Sequence, residues 1–463
     1  MAIIRFGANG LRARFDEGFG SDAVVRSADA LGRLWAQGHS GATVMVGYDT
    51  RHDGARLALL MGQVLASHGL VAKVAQEPCP TPALGWCAAH DPSCIGAVML
   101  SASEAPCEYG GILLRGHDGG SVSTAFLAAL DREVPPDPTP ARGEALLADF
   151  ITPYIEGLAT EVDAAAIAAS GLKVVADPMH GASGEAVRRL FQLLGCDVSY
   201  LHLQQREDFG GLHPLPAEPW VDECEQAVLQ QGASCAIVLD GDGDRAALVD
   251  ERGHLISRHD LVPLVVSHLV KGRGQHGRVV MTTATSSRLR RQAEQLDCDY
   301  TVVPVGFERI YDEAVEGDVL LGTEEYGGVC VPGHLMERDG LYACLLVLEL
   351  MAKSGRPISA LVEEQSHALG TLYYGRKDMR IDTVQMQILS NLLPGLNPHT
   401  LAGMCPVGVR HTDGTGLEFE DGSWVLARVS RTDTVLRVYA EAPSARKRDL
   451  LLNRMVEIVR ARL

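Results

Sequence analysis

Three times along this chain a short apolar run is followed by a polar turn, an amphipathic stretch and a second apolar run, and that order leaves few folds open. The first copy takes residues 43–49, a turn with Arg51 and Gly54, a helical stretch over 55–68 and a second run at 71–74. The second takes 173–177, the turn 180–184, a helical stretch over 185–194 and 197–201. The third takes 278–282, a turn near Ser286, a helical stretch over 288–296 and 300–303. A strand, a helix and a second strand in that order make a βαβ unit, whose helix carries the chain back so that the two strands lie parallel. Three such units predict three related α/β domains in tandem; the alternative is one large doubly wound sheet. From about Gly370 the pattern changes, and runs at 424–429 and 436–440 precede a terminal helical stretch over 445–463, an α+β module.

The expected fold class is therefore α/β: three tandem mixed-sheet α/β/α domains and a C-terminal α+β domain around a central cleft. The expected boundaries are 1–147, 148–252, 253–368 and 369–463. A chain of 463 residues is too long for one hydrophobic core. Pro- and Ala-rich stretches at 135–142 and near 354–357 read as connections. The formal charge of −18 argues against a general nucleic-acid binder, so any phosphate bound here must meet local positive charge. No basic region with a following apolar stretch opens the sequence, and nowhere do 18 uncharged apolar residues run together. The expectation is a cytoplasmic protein without membrane or nucleic-acid partners, monomeric or homodimeric. Its eleven cysteines show no CxxC pairs or zinc spacing and read as reduced, mostly buried thiols.

Four local patterns carry chemistry. Asp240, Asp242 and Asp244 alternate with Gly241 and Gly243 after an apolar run, and three carboxylates so spaced can turn inward to hold a small divalent cation, Mg²⁺ for preference. An EF-hand loop is the rival, but Arg245 stands where it needs glycine and strands flank the loop where it needs helices. Ser103 lies in the small-residue turn 101–106 after the apolar run 97–100, a place where a serine is open to phosphoryl transfer. Glu324 and Glu325, between glycines, suit vicinal sugar hydroxyls. Arg428, Ser430, Arg431, Thr432 and Arg437 suit a phosphate dianion, because guanidinium binds its oxygens in pairs.

In this order, these patterns resemble the α-D-phosphohexomutase family of phosphoglucomutases and phosphomannomutases. The likeness also takes in residues 6–12 with Arg12, 47–51, 304–307 and the stretch from Gly333 and His334 to Asp339 and Gly340, and so spans nearly the whole chain. It implies four domains around a cleft, with one active loop from each. Ser103 would carry the phosphoryl group, with Mg²⁺ between it and Asp240, Asp242 and Asp244, and Arg12 and Arg245 nearby. Glu324, beside Tyr326, would hold the sugar hydroxyls, and the loop from Arg428 to Arg437 the phosphate that is not being transferred. A sugar 1,6-bisphosphate would serve as activator and intermediate. The implied reaction moves phosphoryl between the 1- and 6-positions of a hexose phosphate, glucose-type favoured.

Departures from the family pattern cluster at the chemistry. Glu104 and Ala105 replace a His-Asn pair, Leu113 stands where a lysine is expected, and Tyr326 replaces a serine. Losing the lysine removes a cation and a general acid/base, a role open to Glu104. They leave open a second reading, a catalytically impaired relative that binds a phosphosugar or a partner, or a mutase for an unusual phosphosugar.

Overall fold

A computed structural model describes residues 4–7, 10–430 and 434–463. The first sheet holds β1 (Leu11–Arg14), β2 (Thr43–Tyr48), β3 (Val71–Ala75), β4 (Cys94–Leu100), β5 (Tyr109–Gly116) and β6 (Leu146–Ala148), in the order β1-β5-β4-β2-β3-β6. The second holds β7 (Lys173–Asp177), β8 (Asp197–Tyr200), β9 (Cys235–Leu239), β10 (Ala246–Asp250) and β11 (Leu255–Ile256), in the order β11-β10-β9-β7-β8. The third holds β12 (Arg278–Thr282), β13 (Tyr300–Val303), β14 (Val319–Thr323) and β15 (Val329–Cys330), in the order β13-β12-β14-β15.

The same four-strand pattern recurs in all three sheets. A parallel pair made by the βαβ unit (β2 with β3, β7 with β8, β12 with β13) takes a third parallel strand on its other side: β4, β9 and β14. A fourth strand, β5, β10 or β15, then runs antiparallel to that third one. The three units read from the sequence are thus present, and the single large sheet is not. Strands covered on both faces must be apolar throughout, which is why β2 and β9 are buried at every residue. The helix Gly184–Leu194 shows the complementary pattern. Ala186, Val187, Leu190, Phe191 and Leu194 repeat at helical spacing and are buried, and Gly195 closes the helix in the left-handed region that favours glycine. Burying Phe191 alone contributes about 1.5–3 kcal/mol.

The first sheet reaches past the Pro-rich stretch 135–142, because β6 pairs in parallel with β3 beyond it. The fourth sheet is antiparallel: β16 (Tyr373–Arg380), β17 (Gly408–Arg410), β18 (Thr415–Glu418), β19 (Trp424–Val429) and β20 (Val435–Ala442), in the order β16-β20-β19-β18-β17. One face, with Val425, Ala427, Leu436, Val438 and Ala440, packs with Leu451, Leu452 and Met455 of the terminal helix Ala445–Arg460 in a core of its own. The alternate residues Trp424, Leu426 and Tyr439 pack on Ala284 and Val305 of the third domain. Strand alternation therefore places Arg428, Arg437 and Arg376 on the face turned to the rest of the molecule. Among the described residues no helix is long and apolar enough to cross a membrane.

Candidate active site

Each of the first three sheets contributes one loop, from the same topological place: the turn between the third parallel strand and its antiparallel neighbour. Residues 101–108 join β4 to β5, 240–245 join β9 to β10, and 324–328 join β14 to β15. Carboxyl ends of parallel strands are where open α/β sheets present ligand sites.

Ser103 sits in the left-handed region, with φ +51°. The conformation is held by its surroundings, since left-handed backbone is costly for a residue with a Cβ. Arg51 supplies the hold: its guanidinium donates to the carbonyls of Ser103 and Ala105, each at 2.6 Å, to Pro106 at 2.6 Å and to Tyr109 at 3.0 Å. Asp49 anchors Arg51 through Nε at 2.9 Å and accepts from the Ser101 hydroxyl at 2.6 Å, while Ser101 Oγ takes the Ser103 backbone N–H at 2.9 Å.

Around Ser103 Oγ stand the Arg245 guanidinium at 2.6 Å, Glu104 Oε2 and Asp240 Oδ2 at 2.9 Å each, and Asp244 Oδ1 at 3.4 Å. Two glycines permit this approach. A Cβ on Gly241 would stand 2.7 Å from the Ser103 carbonyl oxygen, and Gly243, at φ +75°, would drive one to 2.3 Å from Ser183 Oγ. Burial works against the charge of Glu104, but Arg245 and then Arg12 outweigh it and hold the carboxyl well below the usual range. Arg12, from β1, faces Glu104 at 4.0 Å and is 40% exposed, the least buried of the cations around Ser103.

Asp240, Asp242 and Asp244 are all buried, and each brings a carboxylate oxygen to within 4.8 Å of the others. Burial, then repulsion from Asp244 and Asp242, pushes the Asp240 carboxyl well above its ordinary value. Burial and Asp244 push Asp242 up to about 6. Asp244 goes the other way: against the effect of burial, Arg245 and Arg338 hold it below the usual range. One oxygen of Asp242, Oδ2, accepts from Thr81 Oγ1 at 2.5 Å; the other is buried without a hydrogen-bond partner among the described residues. Three crowded hard oxygens, one of them orphaned, fit a small divalent cation, whose charge would remove the repulsion that burial magnifies. The EF-hand is excluded by these flanking strands, and the burial of all three carboxylates shows that this is no solvated surface turn.

Arg338 joins this loop to the sugar loop. It donates to Asp244 Oδ2 at 2.8 Å and Glu324 Oε1 at 2.6 Å, and Glu337 holds it at 3.0 Å. The same Glu337 pairs with the buried Arg115 at 2.8 Å. Arg115 lies two residues beyond Leu113 on β5, and lines the same pocket as Arg12, Ser103 and Leu113. The two glutamates of the sugar loop do not act as a pair. Glu324 turns to Arg338 and Arg245, whereas Glu325 accepts from Tyr439 at 3.1 Å and Thr282 at 3.2 Å, towards the fourth domain. Tyr326 carries the guanidiniums of Arg376, Arg258 and Arg437 around its ring, at 4.9, 5.6 and 5.9 Å from its centre.

Of the phosphate loop, Arg428 is buried and donates to Asp413 at 2.8 Å, Ser430 is buried, and Arg437 pairs across the ladder with Arg428. Arg431 and Thr432 lie outside the described residues. Contacts thus run from Ser103 through Arg245 to Glu324, and from Tyr326, two residues on in the same loop, to Arg437. The sequence reading missed Thr81 altogether and attached no role to Asp49, Arg51, Arg115 or Arg338, the last lying within the stretch 333–340 of the family resemblance. The signal for Asp49 and Arg51 was present, in the run 47–51 that the family resemblance had already picked out.

His334 secures the frame. Its Nδ1 meets Glu161 at 2.7 Å and its Nε2 meets Asp339 at 2.8 Å. Asp339 caps the helix Gly340–Ser354, whose first N–H donates to the Gly243 carbonyl of the metal loop at 3.1 Å. Burial opposes the imidazolium, but Asp339 and Glu161 raise its pKa to about 9. A histidine pKa raised on folding adds stability that is complete below the unfolded value near 6.5 and is lost as pH rises through about 9. We expect wild-type stability to fall by on the order of 3 kcal/mol between pH 6.5 and 9.5, measured by urea unfolding across that range. His334→Gln should flatten the slope; an equal slope in the variant would assign the effect elsewhere.

A serine held beside arginines and a buried carboxylate triad, with further arginines from the fourth domain, is an arrangement that suits phosphoryl transfer. Models of the phosphoglucomutase/phosphomannomutase α/β/α domains I, II and III match residues 4–136, 152–253 and 258–368. A phosphoglucomutase/phosphomannomutase of Thermococcus kodakarensis is 30% identical, the match covering 96% of this chain and 95% of that one. A phosphoglucosamine mutase of Chlamydia trachomatis serovar D is 27% identical, covering 99% and 97%. A crystal structure assigned as a phosphomannomutase from Thermus thermophilus superimposes with a TM-score of 0.88 at 29% identity, covering 99% of each chain. The chain belongs to the phosphoglucomutase/phosphomannomutase family, the α-D-phosphohexomutases, and is an isomerase by intramolecular phosphoryl transfer.

Proposed function

We propose that this phosphohexomutase moves a phosphoryl group between the 1- and 6-positions of a hexose phosphate, glucose-type favoured, with Ser103 as the carrier. The observation that carries this reading is the placement of Ser103 Oγ within 3.0 Å of Arg245, Glu104 and Asp240 together. Asp240, Asp242 and Asp244 would hold Mg²⁺, which when bound supplies positive charge to the phosphoryl oxygens. Arg245 and Arg12 add fixed charge on the same oxygens, where a loose, highly charged transition state needs it.

In the first half-reaction the sugar hydroxyl bonds to phosphorus as the bond from phosphorus to Ser103 Oγ breaks. The hydroxyl proton passes to Glu104 and on to Ser103 Oγ, 2.9 Å away. A carboxyl so acidic is a weak base, which suits a step in which the proton moves late. The sugar 1,6-bisphosphate then reorients, and the same events in reverse return its other phosphoryl to Ser103. Glu324 holds sugar hydroxyls, with Tyr326 beside it. Arg428, Ser430 and Arg437, with Arg431 and Thr432, hold the phosphate that stays.

Intact mass before and after glucose 1,6-bisphosphate with Mg²⁺ tests the carrier, and coupled assays with glucose, mannose, glucosamine and N-acetylglucosamine phosphates test the sugar. A phosphate adduct and fastest turnover on glucose phosphates are expected. No adduct and no transfer with any of these sugars would end the mutase reading. Glu104→Gln keeps the size and loses the proton acceptor, so turnover should fall about 10²-fold with KM little changed. Unchanged turnover would remove Glu104 from the proton path.

A further inference from the structure

Arg258 opens the helix Arg258–Ser267, directly behind the sugar loop. A cation at a helix N-terminus faces the positive end of the helix dipole, so its place is not explained by helix stability. Nor is it a loose surface chain. A Cβ on Gly327, at φ +84°, would stand 2.6 Å from the Cβ of Arg258, so the sugar loop is built around its stem. Its guanidinium lies 5.6 Å from the centre of the Tyr326 ring. Among the described residues it makes no hydrogen bond and no ion pair. The carboxylate in its own first turn, Asp260, is committed to Arg288 and to Ser257 Oγ. Glu325, which could offset its charge, is taken by Tyr439 and Thr282. Burial lowers its pKa; Tyr374 and Glu325 offset this only in part, and Arg376 and Arg245 lower it further.

Across the ring Arg376, from the fourth domain, donates to the Tyr326 hydroxyl and pairs with Asp378 at 2.9 Å. Tyr326 thus gathers cations from two domains on one aromatic surface, an arrangement that a serine at this position has no ring to support. A half-buried guanidinium without an acceptor is a donor set waiting for an oxyanion.

Resting on the phosphohexomutase reading, we propose that Arg258, set on Tyr326 beside Arg376, is an anion-binding position that extends the phosphate clamp from the fourth domain into the third. Its ligand is the non-transferring phosphate of the bound phosphosugar, so the clip forms across the seam between the two domains. Tyr326 is then a positioning residue that selects for the phosphate rather than for the sugar ring.

Equilibrium titration with glucose 1-phosphate, inorganic phosphate and glucose tests this without turnover. Arg258→Ala is expected to weaken glucose 1-phosphate about tenfold or more, with part of the loss restored by Arg258→Lys. Tyr326→Ser should reproduce the loss, and the double variant should lose no more than either single one. If Arg258→Ala weakens only inorganic phosphate, the position serves a free anion and the substrate assignment is overturned. Glucose 1-phosphate affinity within about twofold of wild type, or additive losses in the double variant, overturns the clip. Binding lost in Arg258→Ala while wild type never acquires a phosphate on Ser103 would uphold the clip and reject the mutase. A wild type that binds neither phosphate ligand rejects both.

Discussion

Ser103→Ala is expected to abolish the phosphate adduct and lower turnover by roughly 10⁴-fold or more, leaving the thermal midpoint within a few degrees of wild type. The size follows from the role: without Oγ there is no atom to carry the group between the two half-reactions, and no neighbouring hydroxyl can take its place. Ser101, two residues away, is committed to Asp49 and to the Ser103 backbone. The fold should survive because Arg51 grips the loop through four carbonyls and not through the Ser103 side chain. Intact mass and a coupled assay on the same preparation decide the matter. Turnover retained within about tenfold would mean that phosphoryl passes by another carrier.

The second large effect concerns the carboxylate triad. Asp240, Asp242 and Asp244 lie buried together, and of the three it is Asp244 that Arg245 and Arg338 approach most closely. Without a cation the remaining repulsion opposes folding, so adding Mg²⁺ to metal-free protein should raise its melting temperature by several degrees. Linkage gives about 2.7 kcal/mol when the free metal stands at about a hundred times its Kd. Asp242→Asn removes one charge and lets an amide donate into the cluster. The metal-free variant should therefore melt higher than metal-free wild type, gain little from Mg²⁺, and lose turnover by about 10²–10³-fold. A variant that melts lower than wild type without metal, yet still responds fully to Mg²⁺, would show that the triad is not the metal site. Stability gained with function lost is the signature expected of charges kept together for chemistry.

These loops could be read from the sequence because each is local. Three aspartates at alternate positions, or a serine after an apolar strand, declare themselves within six residues. The triplicate βαβ pattern was legible for the same reason, since a strand and the helix after it are neighbours in the chain. What could not be read is the traffic between loops. Arg338 reaches Asp244, and Thr81 reaches Asp242, across separations of 94 and 161 residues, and nothing local marks either side chain as bound for that partner. Glu324 and Glu325 show the limit most plainly. Adjacent in sequence, they suggested a pair; but the chain turns at Glu325 and Tyr326, the Gly327 N–H closing on the Glu324 carbonyl, and one side chain meets Arg245 and Arg338 while the other meets Tyr439. Tyr326 was recognised as a departure that could reshape the sugar pocket, yet its three arginines come from residues 258, 376 and 437, which only the fold brings together.

The equivalent placement of the three loops has a mechanical consequence. Each is the short tip of two paired strands rather than a long mobile lid, so none has slack to swing towards the substrate on its own. Adjustments of the active centre must then travel as displacements of whole sheets, and the seams between sheets become the tuning points of the enzyme. Thr81 against Asp242, Tyr154 against Asp339 and Asp413 against Val305 are such seams. Substitutions of Thr81 or Tyr154 should change the distance between reacting groups without altering any residue that would touch metal or sugar, and an ångström lost in alignment is enough to cost about 10²-fold in rate.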